Sequence, residues 1–100
     1  MTYVIKVNDP EILTDYGFKK YANAYYYVYG RGDTGVELIV RNEILFIRTG
    51  RNKAPKKVLK LFKELYENNL IRFENAKDDI DITNIILVDE IKKEIEKWLN

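Results

Sequence analysis

The sequence lacks the side chains on which many enzymes rely. Its 100 residues include no histidine, no serine and no cysteine. Nucleophilic catalysis by serine or cysteine and general-base catalysis by histidine are therefore excluded. Without cysteine there is also neither a disulfide framework nor a thiolate metal site. The sequence predicts a protein that is not an enzyme and that needs no cofactor.

Carboxylates are the remaining candidates for metal binding or acid–base chemistry. Asp78, Asp79 and Asp81 cluster ahead of the last predicted helix. Such a cluster suits Mg²⁺ or Ca²⁺, but the glycine and glutamate that an EF-hand loop requires are missing. We therefore expect a polar connector that caps the helix, and no metal site. A carboxylate-based hydrolase is the one enzymatic alternative.

Long apolar runs are also absent. No stretch approaches the roughly 20 apolar residues that span a bilayer, and the first ten residues lack the pattern of a signal peptide. Hydrophobic residues make up 46% and charged residues 33% of the chain, a balance typical of a globular protein. We expect one domain over residues 1–100, located in the cytoplasm and without a membrane partner.

Hydrophobic periodicity predicts strands and helices in a mixed order. Strands are expected over 2–7, 24–29, 36–40, 43–47 and 70–74, and a short helix over 10–16 with Asp9 as its cap. A helix opens at Pro55 and runs to about Glu67. A final helix carries one apolar stripe, and residues 80–87 fit either a strand or a helix. The stripe consists of Val88, Ile91, Ile95 and Trp98.

The two central strands are expected to form a tight hairpin around Asn42-Glu43. A two-residue loop places Ile39 opposite Phe46 and Glu37 opposite Arg48, and the opposite charges of the latter pair favour this register. The predicted fold is α+β, with a four- to five-stranded, mostly antiparallel sheet. The helix of about 55–67 covers one face, and the C-terminal helix lies on the other face or at an edge.

The order of these elements resembles that of short uncharacterised proteins of low-GC Gram-positive bacteria and their prophages. The resemblance is carried by residues 3–7, 9–18, 25–29 and 59–73, about the first three-quarters of the chain. It implies a bacterial or prophage source but no activity and no functional residue. Isoleucine, lysine, asparagine and tyrosine, which have AT-rich codons, sum to 41 of 100 residues, as expected for an AT-rich genome.

Tyrosines dominate the segment from residue 25 to residue 29. In a strand, Tyr25, Tyr27 and Tyr29 share one face. We expect Ile39 and Phe46 to join them there, which makes that face apolar enough to need a partner. The sequence then predicts a small protein-interaction module of phage or mobile-element type that binds a host or viral protein or forms a homodimer. Alternatively, the tyrosines pack in a half-buried sheet with their hydroxyls in water.

The charge is unevenly distributed, which gives a second functional hypothesis. Residues 41–63 carry a net charge of +7 and residues 64–100 a net charge of −5. A basic segment of this kind is typical of a nucleic-acid surface, although lysines on the outer side of a helix are often only solvated. The alternative function is therefore a nucleic-acid-binding module, with tyrosine rings available for base stacking. Its candidate residues are Arg48, Arg51, Lys53, Lys57 and Lys60.

Overall fold

A computed structural model of the protein describes residues 3–31, 35–49 and 55–75, and residues 90, 91, 93, 94 and 96–98 near the C-terminus. The predicted α+β class is confirmed, with a fully antiparallel six-stranded sheet in the order β2-β3-β4-β5-β1-β6. The elements are β1 (Tyr3–Val7), a 3-10 helix (Pro10–Tyr16), β2 (Lys19–Tyr21), β3 (Ala24–Tyr29), β4 (Val36–Arg41), β5 (Ile44–Thr49), α1 (Lys56–Glu67) and β6 (Ile71–Asn75).

The sheet has one strand more than the four or five expected. The additional strand is β2, whose three residues, Lys19–Tyr21, are too few and too polar to show an alternating pattern. It forms because a two-residue turn, with Ala22 at a φ of 55°, folds it back on β3. Residues 80–87, which fit either a strand or a helix, lie outside the described residues.

The register predicted for the central hairpin is confirmed. Ile39 pairs with Phe46, Glu37 pairs with Arg48, and the Glu37–Arg48 ion pair measures 3.7 Å. Asn42 and Glu43 both have positive φ angles, 53° and 64°, as the two central residues of a type I′ turn do. The turn therefore fixes the register even though Glu43 occupies a position that favours glycine.

Both described helices before β6 end in the same backbone motif. A residue with positive φ follows the helix, and the N–H of the next residue donates to a carbonyl of the last helical turn. After α1, Asn69 takes a φ of 61°, and the Leu70 N–H donates to the Leu65 carbonyl at 2.8 Å. After the 3-10 helix, Gly17 takes a φ of 93°, and the Phe18 N–H donates to the Leu13 carbonyl at 3.2 Å. In each case the two residues joined by the bond are buried, so each motif directs the chain back to the core.

The 3-10 helix starts where it was predicted, but its capping hydrogen bond differs. Within the described chain, the Asp9 side chain makes no capping hydrogen bond. The Ile12 N–H instead donates to the Asp9 backbone carbonyl at 3.3 Å. Asp9 thus occupies the predicted N-cap position, but its side chain does not make the cap, because the tighter 3-10 turn satisfies this donor with a main-chain acceptor.

The core lies between one face of the sheet and the helices. Val58, Leu61, Phe62 and Leu65 of α1 are buried against the strands. Leu13 and Phe18 extend the same cluster over the β2–β3 end of the sheet, where the Phe18 and Tyr27 rings lie 5.4 Å apart. We call this side of the sheet the inner face and the opposite side the outer face.

The C-terminal helix includes residues 90, 91, 93, 94 and 96–98. Its Ile91 is buried, and Trp98 lies against Tyr66 of α1 and Phe73 of β6. The described part of the helix therefore lies on the same side of the sheet as α1, near the edge strand β6, and not on the opposite face. Val88 and Ile95, the other members of the predicted stripe, lie outside the described residues.

Candidate functional site

Tyr25, Tyr27 and Tyr29 of β3, which the sequence predicts to bind a partner, lie on the inner face of the sheet. Tyr25 pairs with Val40, Tyr27 with Leu38 and Tyr29 with Val36. The partner residues of all three tyrosines are core residues of the inner face. Tyr25 is buried, and Tyr27 and Tyr29 pack against the core. These tyrosines are therefore structural.

Ile39 and Phe46 lie on the outer face. The prediction that they share a face with Tyr25, Tyr27 and Tyr29 is wrong. The register between β3 and β4 places Tyr26, not Tyr25 or Tyr27, opposite Ile39. The loop between these strands is too long to fix the register, unlike the two-residue turn between β4 and β5.

The outer face has an apolar row at its centre. Tyr26 of β3, Ile39 of β4 and Phe46 of β5 lie directly opposite one another across three strands. We call these three residues the apolar row. Side chains at directly paired positions have Cβ atoms about 5 Å apart and contact one another, so the row forms a continuous strip. Lys19 of β2 pairs with Tyr26 and ends the strip.

A second row crosses all six strands next to the apolar row. It contains Tyr21, Ala24, Arg41, Ile44, Lys6 and Arg72, in this order. We call it the basic row because Arg41, Lys6 and Arg72 all belong to it. Residues two apart in a strand are about 7 Å apart, so the cationic side chains border the apolar strip. On the other side of the strip lie Val28, Glu37 and Arg48.

Exposed apolar side chains concentrate on this face. The described residues include four exposed large hydrophobic side chains, and three of them belong to the outer face. Tyr21 is 76% exposed, Val28 64% and Phe46 37%, whereas the fourth, Ile12, lies in the 3-10 helix. Tyr26, Ile39 and Ile44 are half-buried. Clustered exposure of this kind is typical of an interaction surface.

Both carboxylates that the described strands place on the outer face are in ion pairs. Glu37 pairs with Arg48 at 3.7 Å, and Glu74 pairs with Arg72 at 2.8 Å. Arg72 is also held by the Asn8 side chain, which accepts a hydrogen bond from its guanidinium. Among the described residues, no carboxylate lies within ion-pair distance of Lys6, Lys19 or Arg41. In the described part of the chain, these three cations therefore lack a carboxylate partner, which leaves them to an external anionic group.

The basic segment predicted to bind nucleic acid does not form one surface. Arg48 projects from the outer face, whereas Lys57 and Lys60 belong to α1, which covers the inner face. The Lys57 Nζ lies 6.0 Å from the centroid of the Tyr29 ring, on the α1 side of the sheet. The sheet thus separates Arg48 from the two lysines. Arg51 and Lys53 lie outside the described residues.

Metal binding and carboxylate-based hydrolysis are the alternatives that the acidic residues of the sequence left open. No group of three or more acidic, histidine or cysteine side chains there is placed to hold a metal ion. Asp78, Asp79 and Asp81 lie outside the described residues. Among the described helices, none has the length and apolar character needed to cross a membrane.

The functional candidates that sequence reasoning missed are Tyr26, Val28, Lys6, Lys19 and Arg41. Strand alternation alone separates Tyr26 and Val28 from their tyrosine neighbours, but it does not say which set faces the core. The three cations are isolated in sequence, and only the strand order brings them together.

Comparison with known proteins found no matching family model, no matching curated protein and no matching solved structure.

Proposed function

We propose that this protein is a non-enzymatic protein-binding module that docks a partner protein on the outer face of its sheet. The observation that carries the proposal is the position of the apolar row. Tyr26, Ile39 and Phe46 form a strip on the face opposite to the described helices. An antiparallel sheet with one face on the core normally presents polar side chains on its other face. An apolar strip on that face lowers the solubility of the protein. Its presence is explained if the strip binds a partner protein.

The rest of the face supports the same proposal. Charged residues lie on both sides of the apolar row, next to the apolar Ile44 and Val28, much as a polar rim borders the apolar centre of a protein–protein interface. Lys19 and Arg41 lie next to it, and the Glu37–Arg48 pair lies beyond it. A rigid sheet also keeps the side chains in place before binding, which lowers the entropic cost of association.

We further propose that the partner is a host or viral protein, met in the cytoplasm, and that the protein is of phage or mobile-element type. This part rests on the resemblance to small prophage proteins and on the abundance of residues with AT-rich codons. Genes of phage structural or takeover functions next to the coding gene would support it. A neighbourhood of conserved housekeeping genes would contradict it.

A site-specific photocrosslinker tests the docking face directly. It is placed at Val28, which is 64% exposed on the outer face, and in a second version at Lys63, which is exposed on α1. Irradiation in cells of the source organism should give a recurrent adduct from position 28 and not from position 63. Phe46→Thr should reduce that adduct. Identical adducts from both positions, or no effect of Phe46→Thr, would refute the proposed function.

A further inference from the structure

The cations of the outer face indicate what kind of partner surface would fit. The strands place five basic side chains and two acidic ones on this face: Lys6, Lys19, Arg41, Arg48 and Arg72 against Glu37 and Glu74. The described strand residues of this face therefore carry a net charge of three positive. Both carboxylates are already paired, and the cations without a carboxylate partner among the described residues lie beside or at the end of the apolar row.

We infer that the outer face binds a segment of another protein in which an apolar stripe is bordered by aspartate or glutamate side chains. The inference rests on the proposed function and adds the chemistry of the partner. Apolar side chains of the segment contact Tyr26, Ile39 and Phe46, and its carboxylates reach Arg41 and Lys6. Arg41 and Lys6 flank Ile44 on either side in the basic row. Complementary charge next to an apolar contact fixes the orientation of the partner.

A second copy of the chain is a poor occupant of this face. Two outer faces stacked on a two-fold axis bring like charges together, because each contributes the same three net positive charges. The carboxylates that could relieve this repulsion, Glu37 and Glu74, are already paired within their own chain. Juxtaposed like charges disfavour an interface, so the face is not self-complementary.

Single-stranded nucleic acid also carries negative charge but fits the apolar row less well. Stacking platforms for bases use the faces of aromatic rings. Here the rings of Tyr21, Tyr26 and Phe46 are interspersed with the aliphatic side chains of Ile39, Ile44 and Val28. Aliphatic side chains offer no stacking plane, and they suit the apolar side chains of a protein segment.

Selection from a phage-displayed random peptide library on the immobilised full-length protein tests the inference. Enriched peptides should combine aspartate or glutamate with aliphatic or aromatic residues. Fluorescence anisotropy then measures the affinity of a labelled enriched peptide for three proteins: wild type, Arg41→Glu with Lys6→Glu, and Lys60→Glu with Lys63→Glu. The outer-face double variant should bind about tenfold more weakly or worse, the α1 control should bind like wild type, and added salt should weaken binding.

The possible failures are distinguishable. Peptides that lose affinity for Phe46→Thr but keep it for the Arg41/Lys6 variant would overturn the inference and leave the proposed function intact. Absence of any Phe46-dependent peptide would overturn both. Self-association in sedimentation that Val28→Asp abolishes would assign the face to a second copy instead. Binding of a labelled oligothymidylate that the Arg41/Lys6 variant loses would assign it to nucleic acid. Circular dichroism verifies that each variant is folded.

Discussion

Tyr66 of α1 and Trp98 of the C-terminal helix stack on each other, with ring centroids 5.7 Å apart and an interplanar angle of 25°. Phe73 of β6 completes a three-ring cluster, 5.4 Å from Tyr66 and 6.2 Å from Trp98. Ile91 of the same helix is only 1% exposed. The C-terminal helix thus docks on its own chain at the β6 edge, and the described part of it leaves the outer face uncovered.

Ile91→Ala should destabilise the protein by about 2–5 kcal/mol, because the substitution leaves a cavity beneath the C-terminal helix. Lys93→Ala, an exposed change in the same helix, should shift stability by no more than about 0.5 kcal/mol. Urea unfolding followed by the fluorescence of Trp98, the only tryptophan, measures both. Equal unfolding midpoints for the two variants would contradict the docking of this helix.

Removal of residues 80–100 tests the same contact on a larger scale. The fragment loses Ile91 and Trp98, and with them the cover over Tyr66 and Phe73. We expect a lower melting temperature or aggregation, monitored by circular dichroism and light scattering. A soluble fragment that melts at the temperature of the full chain would show that the helix contributes nothing to the core.

Adjacent residues of β4 should respond very differently to the same substitution. Leu38 is fully buried on the inner face, whereas Ile39 is half-buried on the outer face. Leu38→Ala should cost about 2–5 kcal/mol of unfolding free energy and Ile39→Ala about 1 kcal/mol. Chemical denaturation measures both. A larger loss for Ile39→Ala would mean that the outer face is covered in solution.

Glu43→Gly should stabilise the protein by up to about 1 kcal/mol, because Glu43 has a φ of 64° that glycine adopts without steric cost. Glu43→Ala is the matched control, since it removes the same carboxylate but keeps the Cβ atom. Thermal unfolding compares the two variants. A similar gain for both would attribute the effect to the charge of Glu43 and not to its backbone conformation.

Gly17→Ala should destabilise the protein by about 1–3 kcal/mol. Gly17 has a φ of 93°, and an added Cβ atom would lie 3.3 Å from the Tyr27 ring. Gly17→Asn, which tolerates positive φ better, should cost less than Gly17→Ala, and the difference isolates the backbone contribution. Melting temperatures provide the comparison. An alanine variant as stable as wild type would show that the end of the 3-10 helix adapts freely.

Several features of the fold were predictable because adjacent residues encode them. The two-residue turn at Asn42-Glu43 determines which residues of β4 and β5 pair, and the predicted Glu37–Arg48 contact follows from it. The end of α1 is equally local, since Asn69 adopts the left-handed conformation and Leu70 packs back beside Leu65. In such cases a few neighbouring residues are enough to determine the local backbone geometry.

The candidate site depended on information that no short segment contains. The sequence by itself determined that Tyr25, Tyr27 and Tyr29 share a face, that the catalytic side chains of serine, cysteine and histidine enzymes are missing, and that the fold is α+β. Only the tertiary structure decided which face of β3 meets the core, because the loop from β3 to β4 leaves the register open and packing against the core selects it. The strand order likewise brought together Lys6, Lys19 and Arg41, which are far apart along the chain.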